Sequence, residues 1–341
     1  MTRQIKIASL VLTLLILACA GPSRGQFKPQ WMPGQMGLNA GILPAPGFSY
    51  INMDINYNAG TFNGPQGNAI PVTGTYNVWA VENIFYYVPN MKLFGGNIGL
   101  MIMPVTYASG SLDADISNPS APNLSAAAGG SGLADLFMQP FTIGWHRKRF
   151  DLTVADGFMI PTGRFTAGAT NNVGTGYFGN HFQTGTTYYI TKNRGTSASL
   201  FTDWEVHQTM HGTDKTPGQA FTDEWGIGQI IPIKKNFTQL FQFGLIGYDQ
   251  WQVTPNSGAI LNPLPIGQPV LPASSVPSYS NHAIGFQMNY ILPPKNFSLF
   301  FKFEHEYRTT TATQGNTTVF GAAWTFKIPR PEPPKPAPPK N

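Results

Sequence analysis

Asp203, Glu205 and His207 alternate along one stretch of chain, which puts two carboxylates and an imidazole on one side if that stretch is extended. Glu224 follows, and a second alternating set, Lys302, Glu304, Glu306 and Arg308, lies near the C-terminus. Three chemistries use such groups. An imidazole oriented by Asp203 or Glu205 could activate a serine from a neighbouring strand, as a hydrolase would. Carboxylate and imidazole could hold a metal ion, but His207 and His211 on one strand face would lie about 13 Å apart at ~3.3 Å per residue, too far to share one. Alternatively, charges of mixed sign could pair across a lumen, either closing it as a salt-bridged lock or forming a constriction that selects solutes. The sequence has no GxSxG and no His/Cys cluster, so it is read as a non-enzyme with no cofactor and no metal.

The elements that must carry these groups are strands. In Pro293–Arg308 the odd positions Phe297, Leu299, Phe301, Phe303, His305 and Tyr307 oppose Ser298, Lys302, Glu304, Glu306 and Arg308. That period of two makes one apolar face and one charged face, which suits a wall with lipid outside and water inside. Similar strands are predicted at about 48–58, 72–88, 96–109, 132–145, 150–161, 177–191, 197–210, 220–231, 237–252, 281–291, 297–309 and 317–328. They number about twelve. The fold class is therefore all-β, a transmembrane antiparallel up-and-down β-barrel of about 12 strands.

The connections support this. Tight turns at 89–95, 146–149, 192–196, 232–236 and 293–296 alternate with longer loops near 59–73, 110–131, 162–176, 211–219, 253–280 and 310–316. One rim of turns and one of loops is the asymmetry of outer-membrane barrels. The turns are basic, with Lys92, Arg147, Lys148, Arg149, Lys192, Arg194, Lys234, Lys235 and Lys295, and Phe94, Phe150, Phe237 and Phe297 beside them fit an interfacial girdle. The loop 253–280 carries Ile260, Leu261, Leu264, Ile266 and Leu271, too apolar for free solvation, and is expected to gate the barrel mouth. Pro140 predicts a bulge, and Gly157 beside Asp156 predicts another.

Only 11% of the 341 residues are charged, while Gly (37) and Phe (24) are abundant, a profile for a barrel rather than a cytosolic enzyme. Arg3 and Lys6 precede the apolar run 7–17 and the small residues Ala18, Ala20 and Gly21, so residues 1–20 read as a signal peptide for export. Cleavage after Ala20 removes the single cysteine, Cys19; cleavage before Cys19 would leave it lipidated. Residues 21–47 form a periplasmic lead-in, 48–328 the barrel and 329–341 a proline-rich periplasmic tail. Without the basic residues of the leader and tail and Glu332, residues 21–328 carry 16 basic and 15 acidic groups, which does not indicate nucleic acid, and no nucleic-acid partner is expected. The aromatic last strand (Phe320, Trp324, Phe326) is expected to meet the barrel-assembly machinery, and the wall to meet outer-membrane lipid of a Gram-negative bacterium.

Residues Gly132, Leu133, Ala134 and Asp135 with Pro140 and Trp145, then Pro161-Thr162-Gly163, then Gly247-Tyr248 followed by Gln252-Val253-Thr254 and Ser257-Gly258, resemble the outer-membrane transporter-like proteins of the meta-pathway of phenol degradation. Asn256 departs from that pattern, where an acidic residue is expected, and so does the tail. The resemblance implies a channel for passive or facilitated uptake of small hydrophobic, aromatic compounds, and it assigns no residue roles. The alternatives are a structural or adhesive barrel and the hydrolase.

Overall fold

The predicted alternation closes on itself. The computed structural model describes residues 29–116, 124–259 and 272–327. Its strands are β1 (Gly47–Asn63), β2 (Val72–Val88), β3 (Lys92–Leu93), β4 (Gly96–Ile116), β5 (Leu124–Gly132), β6 (Leu136–His146) and β7 (Phe150–Ile160), then β8 (Gly179–Tyr189), β9 (Thr196–His207), β10 (Ala220–Pro232), β11 (Leu240–Gln252), β12 (Ser280–Leu292), β13 (Phe297–Thr310) and β14 (Ala312–Lys327). Consecutive wall strands pair antiparallel, β1 pairs with β14, and β2 pairs with β4, so twelve strands form a closed barrel without edges. Two are extra. The short β3 clips onto the start of β4, and β5 pairs with Ala108–Ile116 of β4. Among the described residues no helix is long and apolar enough to cross a membrane.

Aromatic and branched side chains such as Leu200, Ile227, Phe243, Phe286, Phe320 and Trp324 stand exposed on the outer face. Cross-strand ring pairs tie them together, with Phe301 and Phe320 4.8 Å apart and Phe286 and Phe301 5.8 Å apart. The expected bulge at Pro140 is present between Met138 and Phe141. None occurs at Gly157, where the β7–β8 register is continuous; Asp156 simply faces outward and accepts a bond from Asn180 Nδ2 at 3.1 Å.

Several expectations are corrected. The stretch 110–131, expected as a loop, supplies the end of β4 and most of β5, because its Gly, Ala and Ser residues pair closely across the hairpin. The stretch 310–316 is no loop either: Thr311, at φ 49°, is the only residue between β13 and β14. Arg308 lies on the outer face. A bulge against His282 and Ala283 inserts Tyr307 into the ladder and reverses parity, so Thr309 is buried inside and Arg308 is exposed.

The largest correction concerns the lead-in. From Pro29 onward it does not lie outside the barrel at the periplasmic end but occupies the lumen, entering from the start of β1. Gly41 N donates to Thr187 Oγ1 (3.0 Å), Leu38 N to Gln287 Oε1 (3.0 Å), Asn39 Nδ2 to Gln242 Oε1 (2.8 Å) and Gln30 N to Glu205 Oε2 (2.7 Å). These wall side chains give the irregular backbone the partners that lipid could not. The segment also changes what the wall presents inward. On β1, Met53 and Ile55 are buried in the lumen and pack with Ile51, Met32 and Phe300, while Asn52, Asp54, Asn56 and Asn58 face outward. The interior is therefore a partly packed core on one side rather than a water-filled pore.

Candidate functional site

Seven of the eight charged groups picked from the sequence converge in the lumen: Asp203, Glu205, His207, Glu224, Lys302, Glu304 and Glu306 are all buried. Arg308 is the one that does not. Register brings the first four together, since β9 and β10 lie side by side with Glu205 opposite Ala220 and Glu224 opposite Phe201. The gate residues Ile260, Leu261, Leu264, Ile266 and Leu271 lie outside the described residues. The flanks of that loop are anchored: Thr216 and Ser257 exchange backbone bonds at 3.0 Å, and Asn256 Oδ1 accepts Gly218 N at 2.9 Å.

The carboxylates serve the lumen segment. Glu205 accepts Gln30 N (2.7 Å) and Trp31 N (3.3 Å); Glu224 accepts the Trp31 indole Nε1–H (2.8 Å) and Met36 N (2.7 Å). The Lys302 ammonium donates to three carbonyls of one turn, Gly34 (3.2 Å), Gln35 and Met36. Gly34 has φ +92°, a conformation that strains any other residue, and a Cβ there would meet the Glu304 carboxylate. Glu306 is held by Tyr57 OH (2.7 Å), Tyr248 OH (3.0 Å) and Gly315 N (2.7 Å). The charges thus position an internal strap more than they pair with each other, as a purely salt-bridged lock would require.

The hydrolase arrangement expected around His207 is not assembled. His207 Nδ1 is bonded to Gly218 O (2.9 Å) and Nε2 to Glu205 Oε2 (3.1 Å), which occupies both ring nitrogens and leaves neither to activate a serine. His181 Nδ1 meets Asp203 Oδ2 at 2.9 Å, fully buried. His181, Asp203 and Glu205 are near enough to one another to share an ion, but Glu205 already holds two backbone N–H groups and His207. Outside the strands, burial depresses the Lys215 ammonium to about 8 from 10.5.

Two cavities flank the strap. The larger, about 450 Å³, is lined mostly by apolar groups including Met36, Leu38, Ile51, Ile84, Met101 and Phe300. The smaller, about 200 Å³, lies toward the loop rim between Met32, Tyr57, Val105, Met159, Tyr248 and Gln250. Trp31, Gln35 and Met103 line both and stand between them. The arrangement can hold small apolar molecules on either side of one aromatic ring.

A family model described as putative MetA-pathway of phenol degradation matches residues 59–321, more than three quarters of the chain. The chain belongs to that family. Among solved structures it is similar to an outer membrane channel from Pseudomonas putida F1, with 10% identity and TM-score 0.57 over 87% of this chain and all of that one. It is also similar to the β domain of the Bordetella autotransporter BrkA, at 9% identity and TM-score 0.50 over 83% of this chain and all of that one. At such identities the likeness is one of fold. No curated protein matches the sequence.

In this member of the phenol-degradation family, sequence reasoning missed Trp31, His181 and Glu82. His181 shares parity with Gln183 and Thr187, so its inward direction was legible, but its partner Asp203 depends on the β8–β9 register. Glu82, buried against the smaller cavity, is the one charged residue on the β2 face of Val78, Ala80, Ile84 and Val88, and the opposite face mixes Asn77 and Asn83 with Trp79 and Phe85, so alternation marks no inward side. Trp31 had no signal at all beyond an aromatic in a Pro/Gly-rich lead-in.

Proposed function

We propose that this protein is an outer-membrane channel for passive or facilitated uptake of small hydrophobic, aromatic compounds. The observation that carries the reading is the pair of apolar-lined lumen cavities, with Trp31, Gln35 and Met103 between them, inside a closed barrel. Aligned along the barrel, they offer a poorly soluble molecule two sites weak enough to release it, as conduction requires. The family description points to aromatic metabolism, and the Pseudomonas structure is itself a channel. Residues 1–20 then act as the export signal, the aromatic β14 as the contact for the assembly machinery, and outer-membrane lipid covers the wall. An apolar gate formed by 253–280, as an entry site for a poorly soluble solute, is part of the same proposal. A second reading, a closed structural barrel, is favoured by the lumen segment 29–46, which fills the space a wide pore would need. Uptake of radiolabelled phenol, toluene and a small sugar into liposomes separates them. The channel reading expects phenol and toluene to enter faster than in empty liposomes while the sugar stays out. Equal entry of all three would make it a general pore, and entry of none by folded protein would leave the structural barrel.

A further inference from the structure

Trp31 fills a niche built for one kind of molecule. Its indole is buried between Phe201, with ring centroids 5.2 Å apart, and Phe137, edge-on at 5.8 Å, and Met103 and Met159 belong to the same cluster. The single polar atom of that indole donates to Glu224 Oε1 at 2.8 Å. A flat ring held by two others, with one donor aimed at one carboxylate, is the recognition pattern for an aromatic alcohol or amine. Toluene has no donor for Glu224, and a benzoate would set a second carboxyl group against it. The backbone of Trp31 is fixed independently, by N–H to Glu205 and by Gln250 Nε2 donating to its carbonyl at 3.1 Å. The niche is therefore filled by the side chain alone, and with Gln35 and Met103 that residue is common to the lining of the two cavities.

We propose that the Phe137–Phe201–Glu224 niche is a binding site for neutral aromatic molecules bearing one O–H or N–H donor, such as phenol, aniline or indole, and that Trp31 is a tethered occupant which the solute displaces. This rests on the channel reading for its purpose but not for its measurement. A site whose buried acceptor is satisfied by the correct ligand discriminates strongly against an analogue lacking the donor, because the acceptor is then left unpaired.

The test uses the full-length protein, with folding confirmed by heat-modifiability on gels. Trp31→Ala empties the niche while keeping both backbone anchors. By equilibrium dialysis it should bind about one equivalent of phenol at least tenfold more tightly than toluene, and the wild type should bind phenol more weakly than the variant. Adding Glu224→Leu should bring phenol within about threefold of toluene. Where Trp31→Ala does not fold, Trp31→Phe fills the niche without a donor, and phenol should still outbind toluene at least fivefold. Equal binding of phenol and toluene by the Trp31 variants, or a preference that survives loss of Glu224, overturns the proposal. Liposome uptake by the wild type reads the channel separately. Aromatic flux without selective binding removes the niche and keeps the channel, whereas selective binding without flux keeps the niche and removes the channel.

Discussion

Lys302 was legible in the sequence as an inward charge, but its partners were not. Alternation placed it beside Glu304 and Glu306, and pairing with them was the natural expectation; instead its ammonium gathers the carbonyls of Gly34, Gln35 and Met36. Lys302→Met would leave those carbonyls buried and unpaired, at a cost on the order of 1–3 kcal/mol. Hydrogen exchange should then quicken at residues 30–41 while the wall strands keep their protection. Equal protection in the two proteins would show that Lys302 does not hold the strap. Lys215 gives a pH test in the β9–β10 loop. Its buried ammonium has a pKa lowered to about 8 from 10.5, so the folded loop favours the neutral form. The loop gains stability as pH rises from about 8 toward 10.5 and loses it as pH falls back through 8, below which the burial penalty is fully present. Protease cleavage within 208–219 should be slower at pH 9.5 than at pH 7.5 relative to an unstructured substrate, and Lys215→Met should flatten that difference.

The strands were readable wherever one face was apolar and the other charged, and β13 shows both the strength and the limit of that signal. Phe301 faces outward and Lys302, Glu304 and Glu306 face the lumen, as the alternation requires. Beyond Glu306 the same parity argument fails at Arg308, because a bulge is set by the partner strand and not by the residues in it. On β1 the sign itself is inverted: Met53 and Ile55 point inward since the strap supplies an apolar surface there, and nothing within the strand announces it. Substituting Phe301→Lys should block assembly, a Lys at the bilayer midplane costing about 2–4 kcal/mol. Glu304→Gln should still give a heat-modifiable band, and the reverse pattern would contradict the assignment of faces. Gly34→Val should behave differently from both, with an intact barrel and a displaced strap, because the added carbon meets Glu304 on the lumen side only.

At the scale of the whole molecule, a closed wall contains a strap that turns the lumen into two apolar cavities with acidic anchors around them. The barrel could be read from strand count and turn spacing. The strap could not, because residues 29–46 have neither period, and their hydrogen bonds go to side chains on strands more than 140 positions away. If aromatic solutes cross through these cavities, filling the larger one must slow them without harming the wall. The decisive measurement is toluene uptake into liposomes by wild type and by the double variant Ile84→Trp, Met101→Trp, whose added rings would occupy the space beside Met36 and Leu38. The account predicts at least a tenfold slower uptake by a variant that remains heat-modifiable. Unchanged uptake by that folded variant would place the path outside the lumen and contradict it.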